Sequence, residues 1–203
     1  MKFVAAALML TWMWMVPASA QQPPPQCAPI QFNNTTFQIC QGLFALCTTA
    51  PCKVDPKNKD KLNCDCTVNL GYSVGSKAYN PPAKVVPGSV ISSRYFPITN
   101  YQVCSATPSP TQPWAWCLDA QCTVSSNPAL ATCSCAAVTS GTYQGVATTP
   151  WIVVTTHYDP QNCTTPIWSS ASISEMQDAT GAMNQFIIKY RASNMFVPVK
   201  INP

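Results

Sequence analysis

Twelve cysteines fall into a spacing that occurs twice, and this recurrence constrains the chain more than any other feature. One copy opens Phe37-Gln38-Ile39-Cys40, the other Tyr101-Gln102-Val103-Cys104. Each continues into Ala-x-Cys-x-x-Ala-x-Cys, running Ala45 to Cys52 in the first and Ala115 to Cys122 in the second. A valine follows two residues later, Val54 or Val124, and a polar stretch then leads to Cys64-Asp65-Cys66 or Cys133-Ser134-Cys135. The copies diverge mainly in the first gap. Six residues separate Cys40 from Cys47, whereas twelve separate Cys104 from Cys117, with Pro108, Pro110 and Pro113 in the added length. Aromatic, Gln, Ala and Val positions match alongside the cysteines, which points to an internal duplication.

The remaining two cysteines, Cys27 and Cys163, flank the copies. Five per copy is an odd number, so each unit must pair outside itself at least once. In an extended Cys-x-Cys both side chains share a face, with α-carbons about 6.6–6.8 Å apart, near the limit for a direct bridge. Each cysteine of such a pair is therefore expected to reach a separate partner. Cys47 and Cys52 are expected to clamp onto Cys64 and Cys66 in some order, and Cys117 and Cys122 onto Cys133 and Cys135.

Whether these thiols are oxidised depends on compartment. Lys2 precedes an apolar stretch from Phe3 to Val16, and Ala18-Ser19-Ala20 offers a small-x-small cleavage site. The stretch is shorter than the ~20 residues that span a bilayer, so residues 1–20 read as a signal peptide. All twelve cysteines lie beyond it, and their even number fits a disulfide framework in a secreted or periplasmic protein. No membrane span is expected after cleavage.

The rest divides into a Pro/Gln-rich leader (21–36), a first cysteine-rich repeat (37–100), a second (101–165), and a C-terminal helix with an edge strand (166–203). Strands are expected over Ile30–Cys40, Cys66–Val74, Lys84–Ile91, Tyr95–Val103, Thr132–Val138 and Trp151–Tyr158. Ile173, Met176, Ala179, Met183, Phe186, Ile187 and Tyr190 recur at helical spacing. Ser174 with Gln177, or Ser172 with Glu175, offers a capping box for that helix. Gly181 weakens it without excluding it. Phe196 to Ile201 is expected as a last edge strand. The predicted fold is mainly β (α+β overall), disulfide-rich, with two tandem cysteine-rich repeats and one C-terminal helix.

Chemistry is sparse. Formal charge is +4, and Lys53, Lys57, Lys59 and Lys61 are interrupted by Asp55 and Asp60, which reads as a solvated loop and excludes a nucleic-acid partner. The Cys-x-Cys pairs are compatible in number with thiolate ligation, but an exported chain favours bridges, and neither metal nor cofactor is assigned. His157 is the sole histidine. With Asp159 it is the seed of a hydrolase-type alternative, although no nucleophile motif accompanies it. The binding candidates are Trp114 and Trp116, alternating in the second copy's longer loop and able to stack on a carbohydrate or anchor a protein partner. Asn33, Asn34 and Asn162 begin Asn-x-Thr sequons. The expected function is therefore a non-enzymatic binding or envelope-structural role. The alternatives are a secreted hydrolase using His157 and nearby acids, or a metal-handling protein using the Cys-x-Cys pairs.

Overall fold

The computed structural model describes residues 26–48, 50–96, 101–154, 159–190 and 192. The expected signal peptide (1–20), residues 21–25 of the expected leader, His157 and the expected strand from Phe196 to Ile201 lie outside them, whereas the rest of the leader span forms β1 and the start of β2. The chain begins with β1 (Cys27–Phe32), β2 (Thr35–Leu46), β3 (Pro51–Asp55), β4 (Asn58–Gly75), β5 (Val90–Arg94), β6 (Gln102–Cys104) and β7 (Trp114–Trp116). There follow β8 (Gln121–Val124), β9 (Leu130–Val138), β10 (Thr142–Tyr143), β11 (Val146–Ala147), β12 (Trp151–Val153), β13 (Ile167–Ser170) and the helix α1 (Ile173–Tyr190).

The longest strand, β4, organises the sheet. One edge pairs antiparallel with β9, placing Cys64 opposite Cys133. The other edge carries β3 against its first half and β2 against its second. The far edge of β9 carries β8 and β7 in the same way. Two short strands close the structure: β5 joins β2 to β8, and β13 joins β3 to β7. Neighbours thus return on themselves and form a barrel whose fifth wall is shared by β5 and β13. Closure removes the unpaired edges that short strands of this kind would otherwise expose.

Alternation along the strands decides what fills the barrel. Leu62, Cys64 and Cys66 share the inner face of β4, and Ala131, Cys133 and Cys135 that of β9, all nearly inaccessible. Ile91, Ala115, Cys122 and Val124 complete this core. Four bridges run through it: Cys47–Cys66, Cys52–Cys64, Cys117–Cys135 and Cys122–Cys133. Register selects the partners, because Cys52 sits directly opposite Cys64 and Cys122 opposite Cys133, with α-carbons 4.1 and 3.9 Å apart. Cys27–Cys40 and Cys104–Cys163 lie outside the barrel, and no cysteine is free.

β2 and β4 extend past the barrel, and β1 lines up beside β2. The α1 face formed by Met176, Ala179, Met183 and Phe186 covers Phe37, Ile39, Tyr72 and Val74 in a second core, with Phe186 and Tyr72 ring centroids 5.1 Å apart. Each large side chain buried there contributes about 1.5–3 kcal/mol. Ser172 caps the helix, its hydroxyl accepting from the Glu175 N–H at 3.2 Å.

Several expected strands are different in the structure. Ile30–Cys40 is a hairpin, because Asn33 takes a positive φ of 51° and turns the chain between β1 and β2. Lys84 to Ser89 is not a strand: Val86 and Ser89 hydrogen-bond across a turn at Pro87-Gly88, and β5 starts only at Val90. The Lys53 to Lys61 stretch is a β3–β4 hairpin rather than a loop, with Lys57 and Lys59 exposed at its tip, Lys53 exposed on β3 and Lys61 half-buried on β4. Among the described residues no helix is long and apolar enough to cross a membrane.

Candidate functional site

Beyond the barrel mouth, the second half of the chain builds a small aromatic cleft of about 90 Å³. It is lined by Trp114 and Trp116 of β7, Tyr143 of β10, Val146 and Ala147 of β11, and Ser172 and Glu175 at the start of α1, with Gln144 and Thr148. The β10–β11 hairpin that forms one wall turns at Gln144 and Gly145, both with positive φ (51° and 79°). Two successive left-handed residues match the twist of a tight hairpin. The hairpin is held at its base where the Thr148 hydroxyl donates to the Ser140 carbonyl.

The two tryptophans singled out from the sequence occupy different depths. Trp114 is 2% exposed and stacks on Trp151 with centroids 6.1 Å apart. Trp116 is half-buried and meets Tyr143 edge-on at 5.3 Å. Both indoles line the cleft because they stand on the same face of β7. In strict alternation successive positions face apart, and 114 and 116 share one side.

At the inner end stands Glu175, the only glutamate of the chain. The Trp116 Nε1–H donates to both of its carboxylate oxygens at 3.0 and 3.2 Å. The Tyr95 hydroxyl lies 3.2 Å from Oε2 and 3.3 Å from the Ser170 carbonyl, so its single proton serves one or the other. The Ser172 backbone N–H completes the set, closing a reciprocal capping box. Glu175 keeps some surface where it borders the cleft, while its carboxyl sits deep. Burial pushes its pKa up to about 7, against the opposing pull of these donors and with Asp119 adding a smaller upward push. Tyr95 is raised well above 10, first by burial and then by the Glu175 charge.

A second buried polar group is structural. Arg94 is fully buried, pairs with Asp119 at 3.0 Å, and donates to the carbonyls of Lys77 and Gln38. Asp119 in turn accepts from the Ser76 N–H, the Ser76 hydroxyl and the Lys77 N–H. Burial lowers the Arg94 pKa and the neighbouring aspartate opposes that. These contacts fasten the start of the 76–89 segment to the barrel.

The sulfurs come close inside the barrel, with Cys47 Sγ 3.3 Å from Cys133 Sγ and Cys117 Sγ 3.8 Å from Cys64 Sγ. All are already in disulfides, so the thiolates that metal handling requires are engaged. His157 falls outside the described residues, and the hydrolase-type alternative gains no geometry. Sequence reasoning missed Glu175, Tyr143 and Tyr95 as site residues. A lone glutamate in a capping position was a usable signal for the first; nothing in the sequence marked the two tyrosines. Set against protein-family models, curated proteins and solved structures, the chain matches none.

Proposed function

We propose that the protein is exported and acts as a non-enzymatic binding protein, with the aromatic cleft as its ligand site. The observation that carries this reading is the cleft itself, where Trp114, Trp116 and Tyr143 surround one deep carboxyl. Ligand sites are commonly apolar and aromatic hollows with few fixed polar groups. Catalysis fits less well. Glycoside or acyl transfer needs paired groups in distinct roles, whereas Glu175 is the one carboxyl among the lining residues and its oxygens are already engaged. Six bridges and the signal-like N-terminus support export into an oxidising compartment.

We further infer that the two cysteine units are copies of one unit that interlock. Cys47–Cys66 and Cys52–Cys64 recur as Cys117–Cys135 and Cys122–Cys133. The exchange is reciprocal. Ala45 lies beside Ser93 and Ala115 beside Ser169, while the Ser93 N–H donates to Ala120 O and the Ser169 N–H to Ala50 O. The last strand of the first unit, β5, thus joins the second unit's β8, and β13, just past the second unit, joins the first unit's β3.

Two measurements test the proposal. The intact mass of the native protein should begin at Gln21, with no free thiol. Indole fluorescence should shift when a small-molecule, peptide and carbohydrate set is titrated in, and Trp116→Ala or Tyr143→Ala should abolish the shift. Binding that survives both substitutions would put the ligand elsewhere and leave the cleft without this role.

A further inference from the structure

We propose that the ligand of this cleft carries an organic ammonium group, seated against Trp116 and Tyr143 with its charge toward the Glu175 carboxylate. This rests on reading the cleft as a binding site and names the chemistry of its occupant.

The first support is an absent counter-charge. The partners of Glu175 are an indole N–H, a phenol and a backbone N–H, all neutral. Among the described residues the one ion pair is Arg94–Asp119, so no lysine or arginine neutralises Glu175. A buried carboxylate without a cation is unfavourable, and a cation entering the cleft supplies what the fold omits. The second support is the wall. Aromatic faces attract ammonium groups, most strongly when water is excluded, and Val146 and Ala147 add apolar surface that suits alkyl substituents. Asp119 reinforces the negative field at Glu175, although Arg94 offsets part of it.

An uncharged sugar is the weaker candidate. It needs several converging donors and acceptors, whereas most of the lining is aromatic or aliphatic.

Protonation gives the inference a second signature. The groups facing Glu175 are Tyr95, which stays protonated, Trp116, Ser172 and the more distant Asp119. Tyr143 borders the same cleft. Because burial holds Glu175 near 7, an ammonium ligand must bind more tightly as pH rises through that value and must release a proton on binding near neutrality.

The experiment titrates the mature protein, by indole fluorescence and calorimetry, with butylammonium, choline, and their uncharged isosteres 1-butanol and 3,3-dimethylbutanol. The expected result is that at about pH 8 an ammonium binds at least about tenfold tighter than its isostere. That preference should shrink toward about pH 5 and vanish in Glu175→Gln. Preference for butylammonium marks an amine or lysine-like source, and preference for choline a quaternary head group. Equal binding of ammonium and isostere would overturn the cation inference while leaving the cleft reading intact. No binding of any probe would likewise overturn the cation inference, and the wider ligand set with Trp116→Ala and Tyr143→Ala then decides the cleft reading. Should Glu175→Gln fail to fold by circular dichroism, the pH dependence of the native protein and the loss of binding in Tyr143→Ala decide the matter.

Discussion

Cys64 lies directly opposite Cys133 across the β4–β9 pair, and each is bridged outward to the neighbouring strand, Cys64 to Cys52 and Cys133 to Cys122. Four adjacent strands are therefore stitched at one level. The best-bridged part of the barrel is thus where the Cys52–Cys66 stretch meets the Cys122–Cys135 stretch.

This arrangement predicts an order of reduction. The eight barrel cysteines are at most 6% exposed, whereas Cys27 and Cys163 are half-exposed. Thiol attack requires access. Graded reduction under native conditions, trapped by alkylation and mapped by mass, should open Cys27–Cys40 and Cys104–Cys163 first. Of these, Cys104–Cys163 spans 59 residues against 13. Replacing it by alanines is expected to cost about 4 kcal/mol, against about 3 for Cys27–Cys40.

The exchange of β5 and β13 predicts that half the chain is insufficient. Residues 26–100 contain β5 but lack β8 and β9, the strands that β5 and β4 pair with. Such a fragment should show no cooperative thermal transition as a monomer. Size-exclusion and calorimetry on it check this, and a cooperatively folded monomer contradicts the interlocked reading.

Glu175 predicts a pH dependence of stability. Its folded pKa, about 7, lies above the ordinary carboxyl value of 4.5, so the folded state holds the proton more tightly. That contribution is fully present below the ordinary value and is lost as pH rises through about 7, to a total of about 3 kcal/mol. Denaturant unfolding at stepped pH should show the decline, and Glu175→Gln should flatten it. Trp116→Phe removes a donor to the carboxylate and should move the midpoint higher.

Gly181 predicts a substitution that defies helix propensity. A Cβ at this position would come 2.2 Å from the Phe32 ring of β1. Although alanine favours a helix by up to about 1 kcal/mol over glycine, Gly181→Ala is expected to destabilise by about 1–3 kcal/mol through overpacking. Adding Phe32→Leu should recover part of the loss, measured as a double-mutant cycle.

The mainly β character with one helix was legible because it rests on local pattern. The α1 face was read from Met176, Ala179, Met183 and Phe186, and the β9 strand from Thr132 to Val138. The very short strands were not. β5, β7 and β13 are three to five residues each, too brief for alternation to emerge from a Ser-, Ala- and Trp-containing stretch, and they form because β2, β3, β8 and β9 offer open edges to pair with. The sequence determined the cysteine spacing, and with it the two choices left open within each unit. Register across β3–β4 and β8–β9 then chose between them, because only a residue directly opposite lies within reach of a short, fixed-length bridge. The cleft belongs wholly to the tertiary structure. Trp116, Tyr143 and Glu175 are separated by tens of residues in the chain, and no local preference relates them. They meet because closing the barrel carries β7 to β13, and α1 follows β13 after only two residues, bringing its first turn to the indole.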